Sequence, residues 1–358
     1  MNPRADRPVL PPSAYDRPVE SWAATFREWG LPSFRSGQLV RWLHLPAETF
    51  DSMTDLPAPL RARLAAEFRD LAGTAVVEEE GRADVGTSKL LLRLGDGEHV
   101  ESVLIPARDR MTVCVSSQVG CAFHCAFCAS GAMGFTRHLT RGEIVAQALR
   151  AAQRLGRRPD NVVFMGIGEP LDNYEEVLGA IRMLNHPDGL GIGARRITVS
   201  TCGVVPGIRR LAGEGLQIEL SVSLHAPTDA QRSELMPVNR SWPIAELLRA
   251  CADYTAATDR IVTFEYTLVR GFNDSPRDAK ALVSLLRGLK CRVNLIPLNP
   301  TRHFPGETPP ESTLYGFRDY LMASRLNATL RVSRGGGIDA ACGQLRLRRL
   351  GTKPGPRT

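Results

Sequence analysis

Hydrophobic positions along the chain fall into two textures. From Ser21 to about Arg69 they recur at helical spacing: Trp22, Phe26 and Trp29 open the stretch, and Phe34, Leu39 and Trp42 follow in "SFRSGQLVRWLH", ahead of "LPAPLRARLAAEFRDL". Such spacing lines apolar side chains along one helix face, and Gly and Pro between the runs break them into short helices. Around Ser88 the texture turns to short β-like runs, "KLLLRL", "HVESVLIP" and "MTVCVSS". Beyond Cys128, strand-like runs ("NVVFMGIGEP", "RRITVSTCG", "IELSVSLHA", "IVTFEYTLV", "CRVNLIPLNP") alternate with amphipathic helical ones ("TRGEIVAQALRAAQRLG", "NYEEVLGAIRML", "VVPGIRRLAGEG", "PIAELLRACADYTAATD", "PRDAKALVSLLRGL"). A further helical run over 311–327 precedes a last strand, "ATLRVSR".

Alternating strands and helices predict parallel strands joined by right-handed crossovers. About six repeats fit a full or partial barrel, whose site forms at the C-terminal strand ends. The polar and special residues collect there, in "MGIGEP", "STCG", "SLHAP" and "LNP". The expected organisation is a disordered N-terminus over 1–15, a small helical accessory domain over 16–80, an α/β catalytic domain over 81–345 and a basic tail over 346–358.

Composition adds class boundaries. The 358 residues are 43% hydrophobic and 23% charged, which excludes wholesale disorder and fibrous classes. No apolar run approaches the ~20 residues of a membrane span, and the first twelve residues lack the apolar core of a secretory signal. The expected compartment is the cytoplasm, with no membrane partner. The net charge of +7 suits a polyanionic partner, because each neutralised phosphate releases counterions.

Of eight cysteines, Cys114, Cys121, Cys125 and Cys128 cluster, whereas Cys202, Cys251, Cys291 and Cys342 are scattered. The first group reads as metal or redox chemistry and the second, apart from Cys342, as core positions. "CAFHCAFC" spaces three thiols as C-x3-C-x2-C. Three thiolates match a [4Fe–4S] cluster with one iron open, which can chelate S-adenosylmethionine. Structural zinc is the alternative, with His124 or Cys114 as a fourth ligand at an unusual spacing. In "GIGEP", glycine permits close approach to a ligand and Glu169 can accept from an ammonium group. Ser200, Ser223 and Asn299 offer hydrogen bonds suited to a ribose or carboxylate, and His225 is a further contact candidate.

These motifs resemble the RlmN/Cfr family of radical-SAM RNA adenine methyltransferases. The resemblance rests on "CVSSQVGCAFHCAFCASGAMGFTRHLT", "FMGIGEPLDN", "RRITVSTCGVVPGIRRL", "SLHAPTDAQRSELMPVN", "VNLIPLNP" and "IDAACGQL", and runs from about Trp22 to Leu345. It implies an α/β fold, a partial (β/α)6 radical-SAM barrel with a small N-terminal helical accessory domain. It also implies a [4Fe–4S] cluster on Cys121, Cys125 and Cys128, and two S-adenosylmethionine molecules per turnover. Ligand contacts are implied for Gly168, Glu169, Ser200, Ser223, Leu224, His225 and Asn299. The first S-adenosylmethionine would methylate Cys342; the second would yield the 5′-deoxyadenosyl radical that takes a hydrogen from that methyl group. The methylene then adds to adenine, Glu101 removes the ring proton, and Cys114 resolves the tether by a disulfide with Cys342. The implied product is 2-methyladenosine in 23S rRNA near the peptidyl transferase centre and in certain tRNAs, with an electron donor such as flavodoxin. The adenine-C8 branch of the family, which confers antibiotic resistance, shares the same cysteines and is the alternative, followed by a zinc-stabilised RNA-binding protein. Leu298 and Cys202 stand where the family commonly has an aromatic and a serine.

Overall fold

The computed structural model describes residues 11–45, 48–71, 74–82, 86–107, 109–299 and 303–331. Three helices open the chain: α1 (Ser21–Glu28), α2 (Phe34–His44) and α3 (Ala58–Glu67). The helical spacing acts as expected, since Trp22, Phe26, Leu39, Leu43, Leu60 and Leu64 are all buried. Trp22 meets Phe26 and Phe68 edge-on, at 6.0 and 5.1 Å between ring centroids.

Then come β1 (Ala75–Arg82), β2 (Thr87–Arg93), β3 (His99–Ala107), β4 (Arg110–Cys114) and β5 (Gln118–Gly120). After the cysteine loop follow α4 (Ala129–Ala132), β6 (Phe135–His138), α5 (Arg141–Leu155), β7 (Asn161–Phe164), α6 (Tyr174–Asn185), β8 (Ile197–Thr201) and α7 (Val205–Ala212). The chain continues through β9 (Glu219–Ser223), α8 (Asp229–Leu235), α9 (Ile244–Thr258), β10 (Val262–Leu268), α10 (Pro276–Leu285), β11 (Cys291–Pro297), α11 (Glu311–Ala323) and β12 (Ala328–Leu330). Ten strands form one sheet in the order β1-β2-β3-β4-β7-β8-β9-β10-β11-β12, and β5 pairs β6 separately. From β4 onward every neighbour in the large sheet is parallel, whereas β1, β2, β3 and β4 pair antiparallel. Six parallel strands, β4 and β7 to β11, therefore make the open barrel wall, with the short β12 beside it.

Helix boundaries follow local chemistry. Thr140 and Glu143 form a reciprocal capping box at the start of α5, and Ser275 and Asp278 do the same for α10, with Pro276 at its first turn. Gly156, at φ +65°, closes α5 in the left-handed conformation glycine favours.

Two expectations from the sequence texture change. Disorder over residues 1–15 does not extend to the segment just before Asp16. Ala14 and Tyr15 are buried, Ser13 and Asp16 form a capping box, and the Ala14 N–H bonds the Arg69 carbonyl at 2.9 Å. Asp16 also accepts from the Gly142 N–H at 3.0 Å, pinning this segment to the start of α5. Residues 1–10 lie outside the described part. Second, β1 joins the sheet from Ala75, inside the 16–80 span read as helical; three successive glutamates hide the strand's alternation. The helical segment is further docked by His44, whose ring bonds the Met183 carbonyl of α6 at 3.2 Å, and by Arg150 of α5, which bonds the Leu71 and Thr74 carbonyls.

Beneath the barrel mouth, Gln147 of α5 is fully buried and bridges three groups. Its Oε1 accepts from the Ser116 N–H and the Ser102 hydroxyl, both at 2.8 Å, and its Nε2 donates to the Ser116 carbonyl at 2.9 Å. Gln147→Leu keeps the volume but strands both Ser116 backbone groups. At roughly 1–3 kcal/mol per stranded buried group, the expected loss is about 2–6 kcal/mol, against about 1 kcal/mol for Ser102→Ala. Urea unfolding of the two variants checks this; equal losses would reduce Gln147 to a space-filler.

Candidate active site

Cys121, Cys125 and Cys128 lie in the loop between β5 and α4, all half-buried. Backbone bonds shape this loop. The Cys121 N–H meets the Gly134 carbonyl at 3.0 Å, the Cys128 N–H meets the Cys125 carbonyl at 3.1 Å, and the Ala126 N–H reaches the Leu235 carbonyl of α8 at 2.8 Å. Gly120, at φ +84°, is required at its entry, because a Cβ there would sit 1.8 Å from the Gly134 carbonyl oxygen. Burial pushes the Cys121 thiol up to about 12, with the Cys128 charge adding to it. The Cys125 thiol is raised by burial and then by Cys128 and Cys121. The three sulfurs thus share one electrostatic environment. Among the described residues, no three Cys, His, Asp or Glu converge as a lone ion needs. His124 directs Nδ1 to the Gly131 carbonyl at 3.1 Å. Three thiols in one loop, without a fourth ligand among the described residues, fit a cluster that binds each thiolate through a different iron.

The Gly-rich loop after β7 packs onto the segment entering β5. A Cβ on Gly166 would meet the Val115 carbonyl oxygen at 2.7 Å, and one on Gly168, at φ +108°, would meet Gln118 Cβ at 2.5 Å. Gln118 Oε1 accepts from the Glu169 N–H at 2.8 Å, and Asn173 Nδ2 bonds the Ser117 and Leu139 carbonyls. Glu169 is buried. Its Oε1 accepts from the Leu171 N–H at 3.0 Å and its Oε2 from the Cys202 N–H at 2.7 Å. Burial raises its pKa and these N–H groups pull it back. The carboxylate therefore ties the β7 loop to the end of β8, with the Thr201 and Cys202 side chains as further donors.

At the end of β9, Leu224 and His225 both donate their N–H to the Glu265 carbonyl, at 3.0 and 3.2 Å. His225 holds a left-handed backbone, φ +56°. Asn273, fully buried, secures it by donating to the His225 and Thr267 carbonyls at 2.7 Å each. The His225 ring lies 4.7 Å from the Phe127 ring, edge to face, so the cysteine loop and the β9 end touch. His225 Nδ1 accepts from the Thr267 N–H at 2.9 Å, which places the ring proton on Nε2.

Sheet register groups the remaining candidates. Val103 of β3 pairs with Cys114 of β4, and Cys114 with Val163 of β7. Paired residues share a face and side chains alternate, so Glu101, two before Val103, lies on the Cys114 face. Val163 pairs with Thr198, Ser200 with Ser221, and Ser223 with Glu265, which carries the same face across the wall. It opposes the face of Phe264 and Tyr266, whose ring lies 5.5 Å from Phe317 of α11. Glu101 and Cys114 are buried, Ser200 and Ser223 half-buried, and half-buried Asn299 follows β11. Sequence reasoning missed a polar trio on this face: Ser221 Oγ and Asn294 Nδ2 each donate to Glu265, both at 2.7 Å. Polar residues at alternate positions in "TFEYT" and "RVNLI" were the available signal. Gln118, Gln147 and Asn173 had none, because each acts on backbone groups distant in sequence, as Asn273 does at the His225 carbonyl. Cys202 and Cys251 are buried as expected, whereas Cys291 is half-buried. Cys342 lies outside the described residues, as does the 346–358 tail.

Burial, helped by the Arg232 charge, holds the His225 pKa down from 6.5 to about 3. Below pH 6.5 the unfolded chain takes up this proton and the folded one does not. The stability this histidine contributes above 6.5 is therefore lost as pH falls toward 3. Nitrogen NMR of the histidines should show His225 neutral, with the proton on Nε2, from pH 8 to about 5. A His225 resonance titrating near its ordinary value would contradict the burial.

The Radical SAM superfamily model matches residues 115–283, and the model of the ribosomal RNA large subunit methyltransferase N-terminal domain matches residues 16–69. A probable dual-specificity RNA methyltransferase RlmN of Akkermansia muciniphila is 45% identical over 94% of this chain and 96% of its own length. The dual-specificity RNA methyltransferase RlmN of Anaeromyxobacter dehalogenans is 47% identical over 93% of this chain and 91% of its own. A crystal structure of a radical SAM methyltransferase from Sphaerobacter thermophilus superposes with a TM-score of 0.89 at 48% identity, covering 93% of this chain and 99% of that one. With the three-cysteine loop set at the mouth of a six-stranded parallel wall, the chain belongs to the RlmN family of radical SAM RNA methyltransferases.

Proposed function

We propose that the chain forms 2-methyladenosine in 23S rRNA at the peptidyl transferase centre and in certain tRNAs, by way of a methyl group carried on Cys342. One observation carries the reading furthest: Glu101 and Cys114 occupy one face of neighbouring strands, and the cysteine loop begins just beyond Cys114. A general base and a second thiol are the groups a tethered adenine needs. The net charge of +7 and a pI near 9.2 support an RNA partner, as does the likeness to relatives named as RNA methyltransferases. No helix of the described residues is long and apolar enough to cross a membrane. The reading places the enzyme in the cytoplasm, with a flavodoxin-class electron donor.

Cys121, Cys125 and Cys128 hold the [4Fe–4S] cluster in this reading. Reduced and bound there, it supplies the electron that cleaves S-adenosylmethionine to the 5′-deoxyadenosyl radical. Gly168 and Glu169 receive the ligand's amino end, and Ser200, Ser223 and Asn299 its polar hydroxyls and carboxylate. Leu224 and His225 close over it from the β9 end. Two such ligands are used per turnover, the first to load the methyl group on Cys342. The Cys342 methyl group, having given a hydrogen atom to the 5′-deoxyadenosyl radical, would bond the adenine carbon, and the adduct would return one electron to the cluster while Glu101 takes the ring proton. The Cys114 thiolate would then attack the Cys342 sulfur; the S–CH2 bond breaks, its carbon takes the electron pair and a proton to become the methyl group of the freed RNA, and a disulfide is left.

The adenine-C8 branch is the second reading, because it uses the same cysteines. Mass spectrometry of rRNA and tRNA nucleosides after anaerobic reaction separates 2-methyladenosine from 8-methyladenosine. A protein holding zinc in place of iron and sulfide would sink both readings.

Cys125→Ala is expected to abolish 5′-deoxyadenosine formation; wild-type amounts would overturn the cluster assignment. The two outlying cysteines should fail differently. Cys342→Ala should leave RNA unmethylated and untethered, whereas Cys114→Ala should stall as a protein–RNA adduct on denaturing gels. Full turnover by Cys342→Ala would end the mechanism.

A further inference from the structure

Arg232 of α8 is 0% exposed, an unusual place for a guanidinium. Its partners are all neutral. Nη1 donates to Asn239 Oδ1 at 2.8 Å, and Nη2 donates to the Cys202 and Ser223 carbonyls at 2.7 and 3.0 Å. Nε is buried with no partner among the described residues. Asp229, three residues earlier on α8, favours the guanidinium charge through space, while its Oδ1 accepts from Asn239 Nδ2 at 3.0 Å and from the Ile244 N–H. Burial works against the charged form of Arg232. A buried cation without a direct anionic partner is costly, and carbonyl groups alone could be satisfied by an uncharged amide.

The position explains the charge. One turn along α8, the Leu235 carbonyl takes the Ala126 N–H, so the helix that carries Arg232 also grips the loop between Cys125 and Cys128. The guanidinium also holds the Ser223 carbonyl, two residues before His225, whose ring packs on Phe127 between Cys125 and Cys128. Gly203 makes room for it, since a Cβ there would stand 2.9 Å from Nη2. Arg232 also fastens Cys202 by its carbonyl while Glu169 fastens the same residue by its N–H.

We propose that Arg232 is the counter-charge of the cluster held by Cys121, Cys125 and Cys128, a positioning residue that favours its reduced state. Resting on the cluster reading above, this deepens it. A [4Fe–4S] cluster on three thiolates is anionic, and reduction adds one more negative charge. A fixed cation behind the loop offsets both in a poorly solvated site, and net charge is one of the determinants of cluster potential.

The test is an EPR-monitored redox titration of anaerobically reconstituted full-length protein. Wild type, Arg232→Lys, Arg232→Gln and Asn239→Asp are compared. Arg232→Gln should move the midpoint to a more negative potential, and Arg232→Lys, which keeps the charge, should stay near wild type. Asn239→Asp leaves the arginine in place but sets a carboxylate against it, and should shift the midpoint in the same direction as Arg232→Gln. A purely structural strut predicts that Lys and Gln behave alike, and that result overturns the proposal. An unchanged midpoint in Asn239→Asp overturns it too, and decides the matter if Arg232→Gln does not fold. A wild-type protein that takes up no iron and shows no cluster signal would instead refute the cluster reading, a separate failure.

Discussion

A parallel sheet is normally sealed by helices and reads as an unbroken apolar run. Here only one side obeys that rule. In β10, Val262, Phe264, Tyr266 and Leu268 belong to the apolar core, while Thr263, Glu265 and Thr267 fall on the opposite face although they too are buried. Alternation within a fully buried strand is the constraint on which the site depends. It sets Ser221, Glu265 and Asn294 side by side, and in the same register it aligns Ser200 and Ser223 with Cys114 and Glu101. Polar groups there cannot be left unpaired, so they bond one another or wait for a ligand.

Above that wall the site is made of loops, and loops need their own scaffolding. Buried amides supply it. Gln147 holds Ser116, Gln118 holds Glu169, Asn173 holds Ser117 and Leu139, and Asn273 holds the His225 turn. An amide side chain imitates a backbone segment, donating and accepting at once, without the cost of burying charge. Arg232 departs from that pattern as a buried charge, and it sits on the helix whose Leu235 carbonyl takes the Ala126 N–H of the cysteine loop.

Much of this was legible in the chain. The alternation of strands and helices yields the parallel wall, and the cysteine spacing with "GIGEP" marks its mouth. Regular periodicity survives translation into structure because each element's buried face is written within ten to fifteen residues. The illegible parts have a common cause. Tyr15 is buried because Asp16 and Gly142 meet across the fold, and Arg232 is central because α8 leans on the cysteine loop. Neither contact leaves a local pattern. β1 was hidden for a different reason, since charged side chains at consecutive positions conceal a strand in any alternation test.

The shared register has a consequence for how such a chain can change length. A strand residue gained or lost would turn every later side chain of that strand to the other face, sending Glu265 into the helix layer and Phe264 into the site. No compensating point mutation could restore both faces. Insertions and deletions should therefore be tolerated in the connections behind the wall, at the N-terminal strand ends. They should be almost lethal within the strands and in the short turns at the opposite rim. The molecule's two ends thus carry unequal freedom: one is free to drift in length, and the other is held to a fixed count of residues.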